Sequence, residues 1–136
     1  MAYLIDSDIM VDFTRGVFQA VDYLQSLGRA CRISAITALE LIAGARSQRE
    51  VTDLDILISI YEPIPPNEDV MRRAYYLMKT YAKSAGLRTL DAVIAGTALE
   101  EGLTLATKNR KHFQMIADLK LDVPGCQIPH RRANQE

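Results

Sequence analysis

A chain of 136 residues, 49% apolar and 24% charged with a net charge of −1, has material for one soluble domain with a sizeable core and too little for two. No apolar run approaches the roughly 18 residues a membrane helix needs, and the opening MAYLIDSD, with acids at positions 6 and 8 and no basic stretch, is not a signal peptide. Cys31 and Cys126 fit neither a disulfide framework nor a metal-ligand spacing, so a reducing cytoplasm is the expected setting.

The chain reads as alternating strands and helices. AYLI (2–5) is a short buried strand ending in an acid, and DSDIMVDFTRG (6–16) turns into a helix closed by Gly16. Residues 17–28 repeat that helical pattern, with Gly28 as the stop. CRISAI (31–36) is predicted as a second strand, followed by a helix from Thr37 to about Arg46 and another over 48–59. YEPIPP (61–66) reads as a short strand broken by prolines. The clearest helix is 67–86: Asn67 caps it, Glu68 and Asp69 suit its positive end, and Gly86 stops it. Its apolar face is Val70, Ala74, Leu77, Met78, Tyr81 and Ala85. A further helix runs from Thr89 to Gly102, then a strand LTLAT (103–107) and an edge strand LDV (121–123). This alternation predicts an α/β fold, a parallel sheet of four to five strands flanked by helices. Residues 1–130 form the single domain and 131–136 a short basic tail.

Charge is uneven along this frame. Residues 1–68 hold ten acids and five Lys/Arg (−5), and residues 69–136 hold seven and eleven (+4), which separates an anionic from a cationic region.

Parallel α/β sheets bind ligands at the carboxyl ends of their strands. Asp6 ends the first strand, and Thr107 and Asn109 lie at or just past the end of LTLAT. Asp91 sits in the first turn of its helix, on the face continued by Ile94, Ala95 and Ala98. Glu40 is the lone charge in ISAITALELIAGA (33–45), with no Lys or Arg three or four residues away, and is expected to face inward beside Thr37 and Gly44. Taken singly, Asp6 serves as well as a turn or N-cap residue and Asp91 as a dipole partner. Taken together, three clustered carboxylates call for a cation or raised pKa values. All-oxygen ligands select Mg²⁺ or Mn²⁺, and His112 and His130 stand alone. Phosphoryl transfer by a metal-activated water is the chemistry such a site serves.

Four ordered blocks resemble the PIN-domain ribonucleases, and within them the VapC-type toxins of toxin–antitoxin pairs. They are YLIDSD, SAITALELIAG, LDAVIAGTA and LATKNRKHF, together spanning roughly residues 3–113. The resemblance implies a Mg²⁺- or Mn²⁺-dependent endoribonuclease acting on structured RNA such as tRNA or rRNA, a homodimer, and a cognate antitoxin that blocks the site. It makes Asp6, Glu40 and Asp91 the metal-centred acids and Asn109 the fourth catalytic position, with Ser7 and Thr107 in support. Many relatives carry an acid at that fourth position. An amide there puts a second fully bound metal in doubt.

RNA needs a cationic track with aromatic rings. Arg72, Tyr76, Lys79 and Lys83 recur along one face of the 67–86 helix, and Lys108, Arg110 and Lys111 adjoin Asn109. A solvated helix face explains the first group equally well. Two other functions use the same residues. An inactive PIN-like module would bind RNA or protein without cutting. LIDSD also resembles the opening of haloacid-dehalogenase-type phosphatases, with Asp6 as nucleophile and Asp8 as acid/base. That reading lacks a downstream strand ending in paired acids and leaves Glu40 unexplained.

Overall fold

The computed structural model describes residues 1–125. Among them, β1 (Tyr3–Ile5), β2 (Cys31–Arg32), β3 (Thr104–Ala106) and β4 (Leu121–Asp122) form one sheet in the order β2-β1-β3-β4, every pair parallel. Seven helices flank it: α1 (Ser7–Thr14), α2 (Phe18–Leu27), α3 (Ala35–Ala43), α4 (Gln48–Ile60), α5 (Glu68–Ala85), α6 (Thr89–Glu101) and α7 (Arg110–Phe113). The expected α/β class and parallel sheet are those observed. No helix of the described residues is long and apolar enough to cross a membrane.

Successive strand residues point to opposite faces, and the two central strands use this to build two cores. Leu4 and Leu105 pack with Val70, Leu77, Ile94 and Phe113 on the side of α5–α7. Ile5 and Ala106 pack with Ile9, Met10, Ile33 and Leu41 on the side of α1–α4. Both faces being covered, the central strands are apolar but for Thr104, as suits a parallel sheet.

Between α5 and α6 the packing depends on Gly96. A Cβ there would stand 3.0 Å from the Val70 carbonyl oxygen. α6 is buried from Ala92 through Ala98, a small-residue helix wrapped on all sides. The caps of α5 match expectation: Asn67 Oδ1 accepts from the Val70 N–H at 2.9 Å, and Gly86 takes φ 72°, where a side chain is disfavoured. Ala85, expected on its apolar face, is exposed.

Three local readings change. CRISAI supplies only a two-residue strand, because Ser34 leaves the sheet to cap α3, its Oγ accepting from the Ile36 N–H at 3.0 Å. YEPIPP forms no strand but a single bridge between Ser34 and Ile64; Pro63, Pro65 and Pro66 remove the donors a ladder needs. α7 was not anticipated, and the fully buried Phe113 pins that one turn to the core. Cys126, His130, Arg131, Arg132 and the basic tail lie outside the described residues.

Candidate active site

Asp6 follows directly on β1, and its backbone N–H still donates to the Ala106 carbonyl at 2.9 Å. Extended φ and ψ make it the N-cap of α1, with Oδ1 accepting from the Ser7 N–H at 2.8 Å. Oδ2 accepts from Thr107 Oγ1, also at 2.8 Å, across the end of β3. The residue is 7% exposed. Burial, then the charge of Asp8, and lastly that of Asp91 push its pKa up to about 7, against the lowering effect of the Thr107 and Ser7 bonds. The cap reading of Asp6 is thus observed, and the same carboxylate lies buried at the strand end.

Glu40 stands differently from expectation. It is exposed, as are Leu39, Ala43 and Gly44, while Thr37 and Leu41 form the buried stripe of α3. An inward Glu40 would have displaced that stripe. Its side chain instead reaches the neighbouring helix, where Ser7 Oγ donates to Oε1. Because that bond uses the one serine proton, Thr37 Oγ1 donates to Ser7 Oγ at 2.8 Å. Ser7 thus ties Glu40 to the Asp6 cap. Glu40 also walls a groove of about 750 Å³ between α1, α3 and α4.

The Asp91 side chain, in the first turn of α6, is 15% exposed, and its charge acts on Asp6. It has side-chain company that sequence reasoning missed. Arg88 Nε lies 3.3 Å from Oδ2, and Arg88 Nη2 lies 3.0 Å from His112 Nδ1. An arginine can only donate, so Nδ1 presents its lone pair to Arg88, and its 3.4 Å approach to Asp91 is a contact rather than a bond. His112 therefore does not stand alone.

Asp8 is the second omission, weighed in the sequence only as a phosphatase acid. Its Oδ2 accepts from the Lys108 N–H at 3.0 Å and Asn109 Nδ2 at 2.9 Å, while Oδ1 is buried with no hydrogen-bond partner among the described residues. Burial raises its pKa. A signal was present in DSD: an acid two residues beyond an N-cap lies in the first helical turn, beside the same strand end.

The basic residues divide. Lys108 Nζ is held by Asp12 at 2.5 Å, and Arg72 by Glu68 and Asp69 at 2.7 and 3.0 Å, so neither offers a whole charge to a phosphate. Lys79 lies over the Tyr75 ring, and Lys83 is exposed near the end of α5. Arg110 and Lys111 are exposed on α7, next to Asn109 and His112, with no ion-pair partner among the described residues.

A family model described as PIN domain matches residues 3–119, a span that contains every acid of this site. The chain belongs to the PIN-domain family. Ribonuclease VapC10 of Mycobacterium tuberculosis is 38% identical over 129 residues, covering 90% of this chain and 95% of that protein. Among solved structures, a toxin–antitoxin complex from Klebsiella pneumoniae superposes with a TM-score of 0.80 at 27% identity, over 90% of this chain and 98% of that one. VapBC2 from Rickettsia felis, bound to a DNA fragment from its promoter, gives 0.75 at 25% identity over the same shares. The resemblance to VapC-type proteins read from the four blocks thus holds across the domain.

The atoms of this PIN domain fit a hard divalent cation. The charges of Asp8 and Asp91 both act on Asp6, the donors are all oxygen, and Asp8 Oδ1 is a buried acceptor with no partner among the described residues. Among the described residues no three of His, Cys, Asp and Glu are gathered to hold an ion by themselves.

Proposed function

We propose that this PIN domain is a Mg²⁺- or Mn²⁺-dependent endoribonuclease, the toxin of a VapBC-type pair. The observation that carries the reading is Asp6, a carboxylate buried between like charges at the open end of a parallel sheet, with its pKa raised to about 7. Asp6 and Asp91 would hold the ion, with Glu40 reaching it from the rim. When bound, the ion polarises a phosphate and lowers the pKa of water for in-line attack. Thr107 and Ser7 keep the Asp6 carboxylate oriented, and Ser7 steers Glu40. Arg110 and Lys111 receive flanking phosphates, which leaves the α5 stripe of Arg72, Lys79 and Lys83 a subsidiary part. Structured RNA such as tRNA or rRNA is the substrate, and hydrolysis leaves a 5′-phosphate and a 3′-hydroxyl. The toxin–antitoxin and VapBC complexes among the structural neighbours support an antitoxin as partner. A homodimer working in the cytoplasm completes the proposal.

One observation favours the other reading, an inactive binding module: Arg88 already gives Asp91 a cation. Wild-type and Asp91→Asn protein, incubated with total tRNA and rRNA in Mn²⁺ or in EDTA, separate the two. Discrete fragments with 5′-phosphates that require both Mn²⁺ and Asp91 support the nuclease. RNA binding without cleavage, indifferent to EDTA, supports the module.

A further inference from the structure

The contact between Asp8 and Asn109 joins residues a hundred positions apart, and its chemistry fixes more than a distance. A carboxylate accepts and does not donate, so the Asn109 amide must turn Nδ2 toward Asp8 and its carbonyl oxygen away. The same Asp8 oxygen takes the Lys108 N–H, and Thr107 Oγ1 takes the Asn109 N–H at 3.0 Å while giving its own proton to Asp6. The loop between β3 and α7 is held by backbone and side chain alike, and the chain of bonds ends on Asp6. Positions 8 and 109 together carry one negative charge. Carboxylates at both would face each other at bonding distance, and amides at both would leave Asn109 a neutral partner whose oxygen only the Lys108 N–H keeps in place.

We propose that Asp8 is the positioning residue for Asn109, holding its carbonyl oxygen outward, and that the two side chains work as one carboxylate–amide pair whose charge can sit on either arm. The catalytic part of this inference rests on the nuclease reading above. The pairing itself does not.

The test uses four proteins: wild type, Asp8→Asn, Asn109→Asp, and the double exchange. Each is melted in EDTA and in Mn²⁺, and assayed for cleavage of total tRNA in Mn²⁺. Asn109→Asp should melt about 3–6 °C below wild type in EDTA and recover much of that loss on adding Mn²⁺. Asp8→Asn should lower kcat about tenfold or more with KM little changed, since a neutral partner holds the Asn109 amide less firmly. The double exchange should return to within about 2 °C of wild type and regain most of its kcat, a non-additivity that only interacting sites show. Should Asp8→Asn alone fail to fold, rescue by Asn109→Asp decides the same point. Additive melting losses overturn the pairing, and a double variant that regains its melting temperature but not its kcat overturns the positioning role. Wild-type protein that cuts no RNA refutes the nuclease reading, and the melting and Mn²⁺ shifts of the four proteins still decide the pair.

Discussion

Asp6→Asn tests the electrostatics on which the site is read. In the folded protein the Asp6 carboxyl titrates near 7 rather than at 3.8. Between those values the native state holds a proton that the unfolded chain has released, so stability of the metal-free protein falls as pH rises from about 4 to about 7 and is level beyond. At about 1.4 kcal/mol per unit, the shift amounts to about 4 kcal/mol, of which burial supplies the largest share and Asp8 and Asp91 the rest. Asparagine keeps the geometry. Its carbonyl oxygen can still accept from the Ser7 N–H, since Asn caps as well as Asp, and its amide can donate to Thr107, which has a second lone pair to accept with. The assay is thermal unfolding of both proteins in EDTA from pH 4 to 8.5. Their difference should be small at pH 4 and grow to about 10 °C in favour of the variant by pH 8. Adding Mn²⁺ at pH 8 should raise the wild type and leave the variant behind, because an ion that binds only the native state stabilises it by mass action. A difference that stays flat with pH, or wild-type protein that gains stability over the variant as pH rises, would refute the reasoning.

Arg110→Ala with Lys111→Ala should weaken RNA binding and flatten its salt dependence, the slope of log K against log salt falling by about 0.7 per lost phosphate contact on single-stranded RNA; an unchanged slope in a filter-binding titration sinks that assignment. Gly96→Ala should destabilise the domain by about 1–3 kcal/mol, since the added methyl meets the Val70 carbonyl at 3.0 Å and backbone must shift. Urea unfolding measures it, and an unperturbed midpoint would mean that α5 and α6 slide apart freely.

What could be read in advance follows from where the determining contacts lie in the chain. Asp6, Thr107 and Asp91 were legible because each follows a local signal, an apolar strand running into an acid or a helix beginning at a strand end. Glu40 was misplaced for the converse reason. Its helix is apolar on nearly every side, Leu39 is 66% exposed, and so composition carried no information about which face the core would take. Arg88 and His112 meet across α6 and α7, and Asp8 finds its donors about a hundred residues away, one of them a backbone N–H that no side-chain pattern encodes. The two-residue strands failed similarly: Ser34 looked like strand until the capping bond claimed it.

The exposed Glu40 makes better chemical sense than the buried one first expected. Three carboxylates equally deep would each add a desolvation cost, and a protein with about 5–15 kcal/mol of total stability cannot absorb several such terms. Here the depth is graded. Asp6 is nearly sealed, the Asp91 side chain is 15% exposed beside Arg88, and Glu40 lies open on the rim of the groove. The charge that is costly to bury sits where β1 and β3, the two central strands, hold it through Ala106 and Thr107. The exposed charge sits on a long side chain, held by Ser7. Burial cost and exposure are thereby assigned to different residues.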